Sequence, residues 1–133
     1  MPNMNQKKNK MPIKILLIED EELTIKTVKF ALERKGYEVL IARDGEEAIK
    51  MLDYPVDLIL LDLVMPGKSG FDVLKIIRQE KNLKTAVIIL SNLGKGEDIE
   101  KTLKLGANEY LVKSEISIEA IERKIKDVLQ LPP

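Results

Sequence analysis

Five polar positions each follow a short apolar run. Glu19 and Asp20 come after Ile15–Ile18, Asp62 after Leu58–Leu61, Ser91 after Ala86–Leu90, and Lys113 after Tyr110–Val112. Brought together, three carboxylates repel, and at least one of them titrates late unless a cation intervenes. The chain has no His and no Cys, so any metal site must use oxygen ligands, which favours Mg²⁺ over Zn²⁺. A carboxylate such as Asp62 can attack phosphorus and form an acyl phosphate. Ser91 offers a hydrogen bond to an incoming oxygen, and Lys113 offers a second positive charge. In-line phosphoryl transfer needs mainly positioning and charge neutralisation, and this set could supply both without histidine.

The elements that must position these groups are legible from periodicity. Ile13–Ile18 reads as a buried strand. Glu21–Lys35 reads as a helix with Leu23, Thr27, Val28, Ala31 and Leu32 on one face. Tyr37–Ala42 is a second strand, and Asp44 with Glu47 three residues on caps a second helix running to about Leu52. Val56–Leu61 is apolar apart from Asp57, as a central parallel strand should be. A turn at Met65–Gly70 leads to a helix over Phe71–Glu80, and Ala86–Leu90 is the fourth strand. A helix over Glu97–Leu105, a short strand over Tyr110–Val112 and a helix over Ser117–Leu129 complete the series. Strict alternation predicts an α/β fold, a doubly wound five-stranded parallel sheet with helices on both faces. A flavodoxin-like order 2-1-3-4-5 would gather the five polar positions at one carboxyl edge.

Composition narrows the classes further. The 133 residues suit one domain, 44% apolar and 33% charged, which is ordinary globular usage. Residues 1–11 read as a disordered basic tail, and 12–130 as the folded unit. Lys7, Lys8, Lys10 and Lys14 are unopposed by any acid in residues 1–18, leaving 18 basic against 22 acidic residues and a net of −4 in the remainder. That balance argues against direct nucleic-acid binding by the domain. No apolar run approaches the roughly 18–20 residues of a membrane span, so a cytoplasmic protein is expected.

The segments Ile18-Glu19-Asp20-Glu21, Leu61-Asp62-Leu63-Val64-Met65-Pro66-Gly67, Leu90-Ser91 and Gly106-Ala107-Asn108-Glu109-Tyr110-Leu111-Val112-Lys113 occur in order and at the right spacing for a known signature. Together they resemble the response-regulator receiver domain of two-component signal transduction, over about residues 12–130. The resemblance implies a phosphorylatable switch, not a turnover enzyme. Asp62 would be the phosphoacceptor. Asp20, Asp62 and the backbone carbonyl of Val64 would bind Mg²⁺, with Glu19 acting through a metal-bound water. Lys113 would pair with the phosphoryl group. Ser91 would move to hydrogen-bond it, and Tyr110 would rotate inward with Ser91, changing the face made by helix 4, strand 5 and helix 5. The implied phosphodonor is a sensor histidine kinase or a histidine phosphotransfer protein. The output would pass to a downstream protein or a fused domain, and the same face admits a homodimer.

Two departures from the family pattern bear on the site. Ser114 follows Lys113 where the family usually has proline, often through a cis bond. A cis bond before a non-proline residue costs about 2.5–4 kcal/mol, so this loop is trans or strained. Asn92 follows Ser91 where a small residue is common, and is expected to crowd the phosphoryl entrance. Val64 and Leu93 would flank the water path with apolar surface, which predicts slow hydrolysis of the acyl phosphate. Three other readings compete. An aspartate-dependent phosphatase would place a second Asp two residues after the nucleophile, where Val64 stands. A flavodoxin-like cofactor binder would need a phosphate loop after strand 1, where the chain has Glu19-Asp20-Glu21-Glu22. A pseudo-receiver would bind partners without phosphorylation.

Overall fold

The computed structural model describes residues 11–92 and 96–132. The strands are β1 (Lys14–Ile18), β2 (Glu38–Ala42), β3 (Leu58–Leu61), β4 (Ala86–Ser91) and β5 (Glu109–Val112). The helices are α1 (Glu22–Arg34), α2 (Gly45–Met51), α3 (Gly70–Lys75, continued by a π-helical turn Ile76–Glu80), α4 (Gly96–Lys104) and α5 (Ile118–Leu129). Every strand pairing is parallel, and the order is β2-β1-β3-β4-β5. The expected sheet order is therefore the observed one.

The sheet is aliphatic on both faces because helices cover both. Leu16, Ile18, Ile59, Leu61, Val87 and Ile89 face α2 and α3, meeting Ala48, Leu52, Val73, Leu74 and Ile77. The alternate residues Ile15, Leu17, Leu58, Leu60, Ile88 and Leu90 face α1 and α5, meeting Val28, Leu32, Ile121 and Ile125. Period-two alternation along each strand thus divides one aliphatic sheet between two cores. Side-chain caps begin three helices: Asp44 accepts from the Glu47 N–H at 2.8 Å, Ser69 from Asp72 at 3.3 Å and Ser117 from Ala120 at 3.2 Å.

The inward face of α1 differs from the expected one. Ile25, Val28 and Leu32 are buried, whereas Leu23 is 75% exposed and Thr27 is exposed. The i, i+3, i+7 row meets the sheet, and Leu23 and Thr27 stand one step round the helix. There they line a cavity of about 330 Å³ with Ile116, Ile118 and Ile121. The third helix also departs from a uniform α-helix, ending in its π-helical turn. Arg78 in that turn donates to the carbonyls of Gly106 (3.0 Å) and Leu83 (2.9 Å). Gly106 has φ +108° and ends α4. A Cβ there would stand 3.0 Å from the Arg78 side chain. Apart from Met11, the tail expected over residues 1–11 lies outside the described residues.

Candidate functional site

The strand register builds the site. Ile18 of β1 is paired with Leu61 of β3, so Glu19 and Asp62 leave the sheet side by side. The Asp62 N–H donates to the Ile18 carbonyl at 3.0 Å, holding that junction. Ser91 ends β4 opposite Val112, which places Lys113 at the next step beyond the edge.

Glu19 is 1% exposed and Asp62 6%. One Glu19 oxygen, Oε2, accepts from the N–H groups of Asp20 (3.1 Å) and Glu21 (3.0 Å). Asp62 Oδ1 accepts from the Ser91 hydroxyl at 2.8 Å and from the Val64 N–H at 3.2 Å. Asp62 Oδ2 accepts from the Lys113 ammonium at 3.2 Å. The same ammonium lies 2.6 Å from Glu19 Oε1 and 3.7 Å from Glu21. The contact with Glu19 is an ion pair, and among the described residues the buried Oε1 has no directed hydrogen-bond partner. The pair leaves acceptor capacity unused.

Carboxylate oxygens of Glu19, Asp20 and Asp62 all lie within 4.8 Å of one another. Burial pushes the Glu19 carboxyl above the ordinary carboxylate range; Lys113 and the Glu21 N–H oppose this, and the charge of Asp62 adds to it. Burial works to lower Lys113, but the carboxylates of Glu19 and Asp62 outweigh it and hold the ammonium above the usual lysine value. The carboxylates of Glu19, Asp62 and, at longer range, Glu21 thus converge on one ammonium. A cluster with a buried, incompletely satisfied oxygen fits a small hard divalent cation, which takes carboxylate oxygens and keeps some waters.

Six of the seven positions singled out in the sequence line one cavity of about 540 Å³: Glu19, Asp20, Asp62, Val64, Ser91 and Lys113. Tyr110 is not part of that lining. It lies across from Ile89, packs against the α2–α3 core, and has a buried hydroxyl with no hydrogen-bond partner among the described residues. Burial raises its pKa, with Asp98 and Asp62 adding to the effect. Val64 is 58% exposed at the cavity mouth; Leu93, the other apolar residue expected beside the water path, lies outside the described residues. No described peptide bond is cis. The chain passes Lys113–Ser114 in trans and forms a 3₁₀ turn over Lys113–Glu115.

Three contributions to the site were not read from the sequence. Gly70 lies so close beneath Asp62 that a Cβ would stand 2.3 Å from the Asp62 carbonyl oxygen. The Val64 N–H reaches back to the Asp62 carboxylate. Asn92, expected only as an obstruction, accepts the Ser114 N–H through Oδ1 at 2.9 Å. The Met-Pro-Gly-Lys-Ser-Gly turn was a signal for the first; the other two depend on loop geometry.

A doubly wound parallel sheet with its acidic cleft at the switch point between β1 and β3 defines the class of the molecule. Comparison with known proteins agrees. The model of the response regulator receiver domain matches residues 15–126. The chain is 44% identical over 100 residues to the transcriptional regulatory protein CpxR of Escherichia coli K12, covering 75% of this chain and 42% of that protein. It is 37% identical over 123 residues to the chemotaxis protein CheY of Treponema pallidum, covering 89% and 84% respectively. Among solved structures, the receiver domain of the Francisella response regulator 1452 superimposes with a TM-score of 0.83 at 32% identity, covering 89% of this chain and 97% of that one. The chain belongs to the response regulator receiver domain family. It spans less than half the length of CpxR, and none of its described helices is long and apolar enough to cross a membrane.

Proposed function

We propose that the unit over residues 12–130 is a phosphorylatable switch in which Asp62 accepts a phosphoryl group from a phosphohistidine on a sensor histidine kinase or a histidine phosphotransfer protein. One observation carries this reading. The Asp62 carboxylate is held from three sides by Ser91, the Val64 N–H and Lys113, at the mouth of an acidic cavity. An Asp62 oxygen attacks phosphorus, the phosphorus–nitrogen bond breaks, and the imidazole leaves with the electron pair of that bond. Lys113 balances charge on the transferred group, and the Ser91 hydroxyl turns its hydrogen bond from Asp62 to a phosphoryl oxygen. Asp20, Asp62 and the Val64 carbonyl are the groups suited to hold Mg²⁺, with Glu19 acting through a water. When bound, Mg²⁺ supplies charge neutralisation at the phosphoryl oxygens.

The product carries about −1.5 to −2 added charges. Loss of the Ser91–Asp62 bond and inward packing of Tyr110 then couple the cleft to the α4–β5–α5 face, which signals to a protein partner or an output domain. That face also serves for homodimer contact. The proposed setting is the cytoplasm, with no direct nucleic-acid contact by this unit and no catalysis beyond its own phosphorylation and dephosphorylation. The pseudo-receiver reading has less support, because the acidic cluster, the acceptor and the ammonium are all in place.

The deciding experiment is intact mass after incubation with Mg²⁺ and acetyl phosphate, beside Asp62→Ala and a magnesium-free control. One added phosphoryl group, absent from both controls, is the expected result. An unmodified wild type, also inert toward a cognate phosphohistidine donor, would sink the proposal in favour of the pseudo-receiver.

A further inference from the structure

We propose that Asn92 is a positioning residue for Lys113, acting as a side-chain cap on the turn that carries the ammonium to Asp62; this rests on the phosphoacceptor reading above. The turn over Lys113–Glu115 leaves the end of β5, and the first N–H groups of a helical turn have no acceptor within it. A proline at 114 would fix the backbone and have no N–H to satisfy. Ser114 lacks that restraint and presents an N–H. Asn92, 22 residues earlier on the end of β4, accepts it through Oδ1 at 2.9 Å. The bridge ties together the two strand ends that deliver Ser91 and Lys113, the two side chains that donate to Asp62.

Its location gives the bridge leverage. Asn92 and Lys113 line both the acidic cavity and the apolar cavity between α1 and α5, so the bridge forms part of the wall between them. Lys113 must hold 2.6 Å to Glu19 and 3.2 Å to Asp62 at once. A displacement of its backbone by about 1 Å forfeits one of these, and misplacement on that scale is costly in a transfer reaction. The rival role for Asn92 is obstruction of the phosphoryl entrance. The two roles predict opposite signs: removing an obstacle speeds transfer, whereas removing a cap slows it.

The test combines amide exchange with a double-mutant cycle. Asn92→Ala should raise the exchange rate of the Ser114 N–H about fivefold, the expected effect of losing one partly exposed hydrogen bond, and Asn92→Asp, which keeps an acceptor oxygen, should restore protection. With acetyl phosphate and saturating Mg²⁺, Asn92→Ala should transfer phosphoryl about fivefold more slowly at an unchanged Mg²⁺ dissociation constant. In a Lys113→Ala background the same substitution should have little further effect. Faster or unchanged transfer in Asn92→Ala, an equal slowing in both backgrounds, or unchanged Ser114 exchange would each overturn the proposal while leaving the acceptor reading intact. A wild type that takes no phosphoryl group from any donor would sink both.

Discussion

Gly70 has no room for a side chain. A Cβ there would meet the Asp62 carbonyl oxygen at 2.3 Å and Leu63 Cα at 2.6 Å, and both are backbone atoms that cannot swing aside. The Gly70 N–H meanwhile donates to the Leu63 carbonyl at 2.9 Å, fixing the loop that leaves Asp62. Gly70→Ala should therefore cost about 3 kcal/mol, at the upper end of overpacking penalties, and should abolish the phosphorylation of Asp62 proposed above. Urea unfolding and intact mass read the two effects; a variant of near-native stability would show that the loop can yield. The meeting of Glu19, Asp20, Asp62, Ser91 and Lys113 was legible in the sequence, because these residues follow apolar runs and parallel strands deliver their ends to one edge. The close approach at Gly70 and the Asn92–Ser114 bond were not, since they depend on the paths of two loops and not on any period.

At the level of elements, α1 and α5 are joined outside the core by a polar cluster. Glu122 of α5 lies 3.2 Å from Lys35 and 3.5 Å from Lys126, and the Tyr37 hydroxyl donates to it at 3.4 Å. Burial works to raise the Glu122 carboxyl, but the two ammonium groups outweigh it and hold it below the ordinary value of 4.5. The folded state thus binds this proton less readily than the unfolded chain. The stabilisation is complete above the unfolded value and fades as pH falls through the lowered folded one. Glu122→Gln should cost up to about 1 kcal/mol at pH 7, and its stability should converge with that of wild type as pH falls below 4.5 and through the lowered folded value. A gap in urea-derived stability that stays constant with pH would refute the ionic account. Element types and order were readable from periodicity; the orientation of α1 was not, because Leu23 and Ile25 both fit an apolar stripe and only the neighbouring α5 decides which one is buried. The π-helical end of α3 carries no distinct pattern, and its Arg78 contacts reach 28 residues ahead to Gly106. Among the helices α4 is thinly anchored, with Thr102 its one fully buried residue among those described. Elements held this lightly are the ones that shift at low cost, which suits α4 to the output face proposed above.

For the molecule as a whole, the strand order has a consequence for the route by which the chain folds. Three of the four pairings join strands consecutive in sequence; only β1–β3 passes over an intervening strand. That closure is also the one that brings Glu19 and Asp20 to Asp62. β5, which brings Lys113, has β4 as its one neighbour among the described strands and is not needed for β1 to dock on β3. We propose that β5 docks after this closure, so that carboxylate repulsion opposes it before the ammonium has arrived. Millimolar Mg²⁺ should speed refolding followed by stopped-flow circular dichroism, while Lys113→Ala should hasten unfolding and leave the refolding rate nearly unchanged. Refolding slowed by Lys113→Ala in proportion to its loss of stability would mean that β5 is already docked in the transition state. On this account, the charge crowding of the finished cleft also sets a kinetic barrier, and a divalent cation in the surrounding solution would act on the chain before the cleft is assembled.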